Sequence, residues 1–412
     1  MKLLILGAGH IQENAIRRAK AMGHTVIVSD YYPNPPGKAF ADYHEQVSSF
    51  DIEKNIEIGV KHRIDGVMTL GTDQPVYTVA RVAEELNLPK LLNTTTAKAV
   101  TNKKEMKRIF KEAGIPSANY VLVNEDFIDH EIKGLRFPVV VKPLDSQGQR
   151  GVYKLHSISE IRDVFQDVLS YSRQREILIE EYYPSSEITV SGWVIDGELY
   201  LIAIVDRVSL ESQRHIGICT AHHFPSRFLN WYYFRIKEIS EQIVSGFQIR
   251  NGPIYFQMLV GEEGIKVNEI ACRIGGAYED IYFHKATGID LLEMLIRASL
   301  NQPVDFKPLI NYDLLANKKH FSVEMFFARP CKIGSLTSRE LIENLYGIIK
   351  AGFHFKPGDC IPELINATQR VGYFIAEGEN TAILRENVER AYANLGIYDF
   401  EGNNQLIRFL KH

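Results

Sequence analysis

The chain has 412 residues, 45% of them hydrophobic and 24% charged, with a formal net charge of −4. This length is sufficient for two to three domains, and the composition is typical of a soluble globular protein. The charge argues against a protein that binds nucleic acid through a basic surface. No apolar run approaches the ~20 residues of a membrane helix. The four cysteines form no CxxC pair, which is typical of reduced thiols in a cytosolic protein.

The first part of the chain alternates between strand and helix patterns. Strands are predicted at 3–6, 25–29, 64–70 and 90–92, and helices at 11–22 and 76–86. This alternation is typical of a parallel sheet covered by helices. Gly7, Gly9 and Asp30 resemble part of a dinucleotide-binding fingerprint, but Gln12 occupies the position of its third glycine. A structural or substrate-binding role is therefore favoured over NAD binding.

Lysines and glycines in the next segment indicate phosphate binding. A helical pattern over 94–113 carries Lys103, and a short apolar strand over 137–142 ends on Lys142. A loop follows that strand and contains Ser146, Gly148 and Gly151. Backbone N–H groups and a hydroxyl in such a loop can contact phosphate oxygens, and lysine supplies a point charge. A plain hairpin loop explains the glycines, but it does not explain a lysine at the end of an all-apolar strand.

Further polar groups flank the predicted strands in the middle of the chain. Glu187 lies at the start of the strand 188–194, where a carboxylate can accept hydrogen bonds from a ribose diol. The polar stretch 206–223 is predicted to be a mobile loop that contributes to substrate specificity. Within it, His222 and His223 form a pair with no third ligand in view, so a metal site there is not favoured.

The stretch 251–276 combines a hairpin with chemically unusual residues. Strands are predicted at 254–260 and 265–270, and each contains one polar residue, Gln257 or Glu269. A carboxylate in an apolar strand is costly unless it is paired or holds a cation. Arg273 and two glycines follow, which together suit a metal that carries phosphate. The alternative is a hairpin in which Glu269 simply pairs with Arg273.

Taken in order, these motifs resemble the ATP-grasp superfamily over about residues 96–300. The likeness is to its carboxylate–amine ligase branch, which includes glycinamide ribonucleotide synthetases, L-amino-acid ligases, biotin carboxylase and the carbamoyl-phosphate synthetase large chain. The resemblance implies α/β and α+β architecture: a Rossmann-like N-terminal domain at 1–95, an ATP-grasp domain of two α+β subdomains at 96–310, and a C-terminal α+β domain at 311–412.

The resemblance also implies roles for particular residues. The positions that correspond to ATP-binding residues are Lys103, Lys142, Ser146, Gly148, Gly151, Glu180, Glu181, Tyr183 and Glu187. Gln257 and Glu269 correspond to the ligands of Mg²⁺ or Mn²⁺. Arg273, together with Lys142, would stabilise the phosphoryl group in transfer. The carboxylate substrate would lie against Gly275 and Gly276, with Arg207, His215 and Arg273 as further substrate contacts.

The activity implied by the resemblance is ATP-dependent ligation. ATP would activate a carboxylate as an acyl phosphate, which an amine then attacks to form a C–N bond. The expected partners are small-molecule carboxylates and amines, with no nucleic acid and no membrane, in a cytoplasmic protein for which a homodimer is a candidate state. Two alternatives stay open, a bicarbonate-using enzyme related to carbamoyl-phosphate synthetase and a nucleotide-binding protein without ligase activity.

Two positions depart from the common pattern of the family. The first metal ligand is Gln257 rather than glutamate, as in carbamoyl-phosphate synthetases. Ala271 replaces an asparagine that coordinates metal in the pattern E-x-N-x-R. Asn268 is adjacent, but strand alternation predicts that it faces away from Glu269. Glu269 is then the single charged residue among the predicted metal ligands. The site is therefore expected to bind Mg²⁺ well only when ATP supplies further oxygens.

The register of the hairpin decides whether Gln257 and Glu269 can share an ion. Residues directly opposite each other in antiparallel strands share a face of the sheet. A symmetric turn between Glu262 and Glu263 would place the two side chains on opposite faces. A shared site therefore predicts an asymmetric connection or a bulge, which we expect near Gly261–Gly264.

Overall fold

The computed structural model describes residues 1–146, 148–210 and 216–409. The strands are β1 Lys2–Leu6, β2 Thr25–Ser29, β3 Tyr43–Glu45, β4 Gly66–Met68, β5 Tyr120–Val123, β6 Val139–Pro143, β7 Tyr153–Leu155, β8 Ile177–Glu181, β9 Ser185–Ile195, β10 Glu198–Leu210, β11 Ile218–Phe224, β12 Gly252–Gly261, β13 Gly264–Ala271, β14 His320–Ala328, β15 Cys331–Leu336, β16 Ile348–Phe353, β17 Cys360–Ile361, β18 Gly372–Gly378, β19 Ile397–Asp399 and β20 Leu406–Ile407.

The α-helices are α1 Glu13–Ala21, α2 Ile52–His62, α3 Pro75–Glu85, α4 Thr94–Thr101, α5 Lys103–Glu112, α6 Asp129–Ile132, α7 Ile158–Ser170, α8 Leu229–Gly246, α9 Glu279–Thr287, α10 Leu291–Ser299, α11 Lys307–Ile310, α12 Arg339–Glu343 and α13 Thr381–Asn394. Two 3₁₀ turns span Pro36–Ala39 and Ala367–Gln369. Within the described ranges, no helix combines the length and the apolar composition needed to cross a bilayer.

The N-terminal unit is a parallel sheet with the strand order β3-β2-β1-β4, as expected for a Rossmann-like unit. Its strands β1 and β2 are almost wholly buried between helices, which explains why they read as continuous apolar runs. The predicted strand at 90–92 is wrong, since these residues pair with no strand. Leu91 instead packs on Gly252 of β12, so its apolar surface is partly buried without sheet pairing.

Two antiparallel sheets form the middle of the molecule. The smaller sheet has the order β5-β8-β6-β7 and packs on α7 through buried residues such as Val141, Ile161 and Ile179. The larger sheet begins with β13-β12-β9-β10-β11 and packs on α8 and α10. These two α+β layers confirm the predicted ATP-grasp architecture.

The larger sheet continues into the C-terminal unit. Strand β14 pairs antiparallel with β11, from Ala221 opposite Glu324 to Phe224 opposite Phe321, and β18 and β16 follow. A second core beneath these strands packs against α13. The division at residue 311 stays a prediction, and the hydrogen-bonded sheet crosses it.

The described parts of the stretch 206–223 are mostly strand, so the prediction of a mobile loop is wrong for them, and residues 211–215 lie outside the described residues. Strand β10 extends to Leu210, and β11 begins at Ile218. The polar residues at its ends are paired, since Arg207 lies opposite His222 and also opposite Glu187 in the neighbouring strand. The segment lacks the alternation of apolar and polar residues that is typical of strands. Ion pairs and hydrogen bonds to neighbouring strands stabilise its strand structure instead. The predicted substrate residue His215 lies outside the described residues.

The hairpin β12–β13 has the predicted pairing but not the predicted turn. Gln257 lies opposite Glu269, as a shared ion requires. The turn itself is symmetric, with Gly261 opposite Gly264, and the register shifts between Gln257 and Met258, where Asn268 is the extra residue of a bulge. The predicted position of the bulge, near the turn, is therefore wrong.

Candidate active site

One cavity of about 1040 Å³ lies between the two central sheets, and the N-terminal and C-terminal units complete its wall. It brings together most of the side chains singled out in the sequence. Its lining includes Lys103, Lys142, Ser146, Gly148, Glu180, Glu181, Tyr183, Glu187, Arg207, Gln257, Glu269, Arg273 and Gly276. Two further predicted residues are not part of this lining: Gly151 lies beside Tyr171, and Gly275 lies beside Glu279.

The two predicted phosphate lysines enter the cavity from different elements. Lys103 begins α5, and its Nζ lies 2.8 Å from Oε1 of Glu269 and 3.3 Å from the carbonyl oxygen of Ser146. Lys142 lies near the end of β6, where its ammonium group pairs with Glu180 and donates to Oδ1 of Asn268 at 3.1 Å. Both ammonium groups are almost fully buried. Each ammonium group is paired with a carboxylate here, and phosphate oxygens are an alternative partner for both.

A third lysine, which sequence reasoning missed, lies beneath this pair. Lys107 is 1% exposed, and its Nζ lies 2.8 Å from Oε2 of Glu180. Burial alone would raise the pKa of Glu180, but the ammonium groups of Lys107 and Lys142 lower it to about 2. Glu180 thus holds Lys142 in place as a permanent carboxylate. Lys103 and Lys107 are one helical turn apart, and this spacing could have identified Lys107 as a residue on the same face of α5.

The segment predicted to hold adenine follows β8. The backbone N–H of Glu181 donates to the carbonyl of Asn119, and its carboxylate pairs with Arg136 at 2.9 Å. The Tyr183 hydroxyl donates to the carbonyl of Gly264 at 2.9 Å, which joins this segment to the turn of the β12–β13 hairpin. The segment is therefore fixed between the two sheets, at the edge of the cavity.

Glu187 and Arg207 are partners of each other. Arg207 pairs with the Glu187 carboxylate and also donates to the carbonyl of Gly217 at 2.8 Å. Both side chains are buried, so the charges stabilise one another across β9 and β10. The predicted roles, ribose contact for Glu187 and substrate contact for Arg207, stay predictions.

Three side chains of the hairpin face the cavity together, and each carries an oxygen atom that could bind a metal ion. Gln257 and Glu269 share a face through their register, and the bulge turns Asn268 toward Lys142 as well. The prediction that Asn268 faces away from the site is therefore wrong, because alternation fails at a bulge. Within residues 1–146, 148–210 and 216–409, no group of three His, Cys, Asp or Glu side chains could hold a metal ion.

Arg273 is positioned by the N-terminal unit. Its guanidinium lies against Asp73, with Nε 2.8 Å and Nη2 2.5 Å from Oδ1. A side chain on Gly276 would come within 2.9 Å of the Gly71 carbonyl oxygen, so glycine permits the close approach of this turn. Asp73 carried no sequence motif and was missed. It lies in the loop beyond the carboxyl end of β4, where α/β sheets commonly place functional groups.

A buried acid and histidine lie behind the glycine turn. Glu279 accepts from the N–H of Ala277 at 2.8 Å, and its Oε1 lies 3.9 Å from Nδ1 of His222. A side chain on Gly275 would come within 2.2 Å of Glu279 Oε1, so this glycine has a packing role. Burial raises the pKa of Glu279 to about 7, with Arg273 acting in the opposite direction.

The raised pKa of Glu279 predicts a pH-dependent effect on stability. Its folded-state pKa of about 7 exceeds the ordinary value of 4.5, so the native protein binds more protons than the unfolded chain between these values. The associated stabilisation is complete at low pH and is lost as the pH rises through about 7. We expect Glu279→Gln to raise the free energy of unfolding by about 3 kcal/mol at pH 8.

Melting temperatures at two pH values measure this effect. Glu279→Gln should melt above the wild type at pH 8, with a much smaller difference at pH 5. The exposed Glu85→Gln serves as the control and should show no pH-dependent difference. A variant that melts below the wild type at pH 8 would show that ionised Glu279 stabilises the fold.

The predicted phosphate loop lines the cavity at Ser146 and Gly148. Gly148 and Gly151 both have φ of +71°, a conformation that favours glycine. The N–H of Ala367, in the C-terminal unit, donates to the Gly148 carbonyl at 3.3 Å. The loop thus contacts the C-terminal unit across the cavity. A loop that lines the cavity and contacts the opposite unit can help to exclude water from a reactive intermediate.

Comparisons with known proteins agree with this arrangement. The ATP-grasp domain family matches residues 135–279, and the L-amino acid ligase C-terminal domain 2 family matches residues 324–398. Dapdiamide A synthase of Enterobacter agglomerans is 23% identical over 72% of this chain and 73% of its own length. The L-arginine-specific L-amino acid ligase of Bacillus subtilis is 26% identical over 69% of each chain.

The fold comparison covers almost the whole molecule. The crystal structure of an L-amino acid ligase from Bacillus licheniformis superposes with a TM-score of 0.81 at 17% identity, over 97% of this chain and 98% of that one. The N-terminal parallel sheet, the two central sheets and the C-terminal unit are therefore parts of one known architecture. Together with the two family matches, this shows an ATP-grasp domain at residues 135–279 within a fold that the chain shares with an L-amino acid ligase.

Proposed function

We propose that this protein is an ATP-dependent ligase that joins an amino acid, through its carboxylate, to a second amine. The observation that carries the proposal is the convergence of phosphate-binding and metal-binding chemistry in one cavity: Lys103 and Lys142 contact Glu269 and Asn268 directly. In this structure, the two ammonium groups interact with the Glu269 carboxylate and the Asn268 amide oxygen. An ATP molecule between them would replace the ion pairs with phosphate contacts.

The residues divide the reaction between them. A substrate carboxylate oxygen attacks the γ-phosphorus of ATP, the bond to the β-γ bridging oxygen breaks, and ADP leaves. Lys103 and Lys142 neutralise the phosphates, so that the carboxylate can approach, and Arg273 stabilises the charge on the phosphoryl group in transfer. The amine then attacks the acyl carbon, phosphate leaves with its electron pair, and the nitrogen loses a proton.

The donor set suits a divalent cation that arrives with the nucleotide. Gln257, Asn268 and Glu269 offer two amide oxygens and one carboxylate on one face of the sheet, which is the ligand type that Mg²⁺ prefers. When bound, Mg²⁺ would neutralise phosphate charge and polarise the phosphorus–oxygen bonds. Glu269 would exchange its pairing with Lys103 for the ion. A cytoplasmic location and a homodimeric state stay predictions from the sequence.

Trapping of the acyl phosphate tests the proposal. The protein is incubated with MgATP, hydroxylamine and each of the twenty L-amino acids, and ADP and hydroxamate are measured. We expect equal amounts of both products with at least one amino acid. ADP release with bicarbonate alone would favour the carboxylase-like alternative, and ATP binding without turnover on any acid would favour a nucleotide-binding protein.

A further inference from the structure

The buried cations of the cavity wall differ in how many carboxylates they have. Three of them each pair with a carboxylate of their own: Lys103 with Glu269, Arg207 with Glu187, and Arg273 with Asp73. Arg370, from the C-terminal unit, is hydrogen-bonded to Tyr278. Lys107 and Lys142 instead share one carboxylate, that of Glu180. These three residues, the Lys–Glu–Lys cluster, carry one positive charge more than a simple ion pair.

Glu180 lies between the two lysines of this cluster. Its Oε2 lies 2.8 Å from Nζ of Lys107, and its Oε1 pairs with the ammonium group of Lys142. Each oxygen of the carboxylate therefore contacts a different cation. Lys142 also donates to Oδ1 of Asn268 at 3.1 Å, so it is the member of the cluster that faces the predicted phosphate and metal ligands.

Lys107 is the member of the cluster that cannot reach a ligand. Its side chain is almost fully buried, and its Nζ has no surface open to the cavity. The Nζ instead faces the rings of Phe110 and Tyr120, at 5.7 Å and 5.8 Å from their centroids. Aromatic faces stabilise a cation but leave its charge in place. Any effect of Lys107 on a bound nucleotide therefore acts through Glu180 or through the electric field.

The close contacts of the cluster fix its protonation states. The two ammonium groups hold the pKa of Glu180 at about 2, although burial alone would raise it. Burial lowers the pKa of Lys107, and the Glu180 carboxylate acts in the opposite direction. A permanently ionised carboxylate at 2.8 Å favours the ammonium form of this lysine. At neutral pH the cluster thus contains two cations and one anion.

The additional positive charge bears directly on phosphate binding. Glu180 attracts Lys142, but it also repels any phosphate that approaches Lys142. A lysine paired with a carboxylate of its own presents little net charge to an anion a few ångströms away. Lys107 offsets the repulsion, because its charge lies against the same carboxylate. Water and salt screen buried charges less than surface charges, so this effect reaches the phosphates without contact.

We propose that Lys107 is a positioning residue for the nucleotide phosphates. It neutralises Glu180, so that Glu180 holds the Lys142 side chain in place without cancelling the charge that Lys142 presents to ATP. This inference rests on the proposed function, in which ATP binds in the cavity. The alternative is a structural role, in which Lys107 only compensates a buried carboxylate.

Ligands with and without phosphates distinguish the two roles. Dissociation constants are measured for MgATP by calorimetry and for adenosine by its competition with MgATP, in wild type and Lys107→Met. The substitution keeps the length of the side chain and removes its charge. The affinity for MgATP should fall by about tenfold or more, because a buried charge near the phosphates is lost. The affinity for adenosine, which has no phosphate, should not change.

Two further variants complete the design. Lys111→Met removes an exposed lysine one turn further along α5, and it should bind both ligands as wild type does. The double variant Lys107→Met/Glu180→Gln removes one cation and one anion, so the cluster again has one net positive charge. Its affinity for MgATP relative to adenosine should therefore recover toward the wild-type value. Melting temperatures verify that each variant is folded.

Other results would overturn the inference. Equal affinities of wild type and Lys107→Met for MgATP would show that the charge of Lys107 does not act on the nucleotide. Equal losses for MgATP and adenosine would assign Lys107 a structural role. A double variant that binds MgATP no better than Lys107→Met would exclude charge balance as the cause. A wild-type protein that binds no MgATP would instead overturn the proposed function itself.

Discussion

Arg273→Met is expected to slow acyl-phosphate formation by about a thousandfold, while ATP still binds. The guanidinium lies in the cavity, is 6% exposed and is held by Asp73, so little reorganisation is needed when charge develops on the phosphoryl group. The rate of hydroxamate formation in a single turnover measures the effect, and calorimetry measures the affinity for ATP.

The variants for this experiment separate charge from geometry. Arg273→Lys keeps a cation beside Asp73 and guards against loss of the fold, but it lacks the fork that can contact two phosphoryl oxygens, so it should stay slow. Arg235→Met removes an exposed arginine of α8 and should react as wild type. A wild-type rate in both Arg273 variants would exclude the proposed role and leave only the structural ion pair with Asp73.

Lys142→Ala is expected to weaken ATP binding by about a hundredfold, because a buried charge that faces the phosphates is removed. The fold should tolerate the change, since Glu180 keeps its second partner, Lys107, at 2.8 Å. Isothermal calorimetry with MgATP measures the dissociation constant of each protein.

The neighbouring lysines offer a matched control for this result. Lys104→Ala removes an ammonium group that is half-exposed and pairs with Glu176 at 2.5 Å, outside the cavity, so the affinity for ATP should not change. Equal affinities for wild type and Lys142→Ala would mean that Lys142 serves only to pair with Glu180 and Asn268. The nucleotide phosphates would then have to lie elsewhere in the cavity.

Local patterns in the sequence predicted the elements that carry the candidate site. An all-apolar strand ending on Lys142, and a hairpin with one polar residue in each strand, are recognisable because side-chain alternation and burial act over a few residues. The pairing of Gln257 with Glu269 followed from the requirement that two ligands share a face. The position of the bulge did not follow, because one extra residue changes register at almost any point of a strand at similar cost.

The order of the motifs is a property of the sequence alone, and it predicted the ATP-grasp domain and the two strands of the hairpin. Which charged side chains face the cavity, and which groups they contact there, depends on the tertiary structure. Asp73, Lys107 and Arg370 come from three separate segments, and no local pattern links them. Their positions depend on how the N-terminal sheet, α5 and the C-terminal strands pack around the cavity. Burial in that packed structure removes water from the ion pair between Arg273 and Asp73, so breaking this pair would be costly.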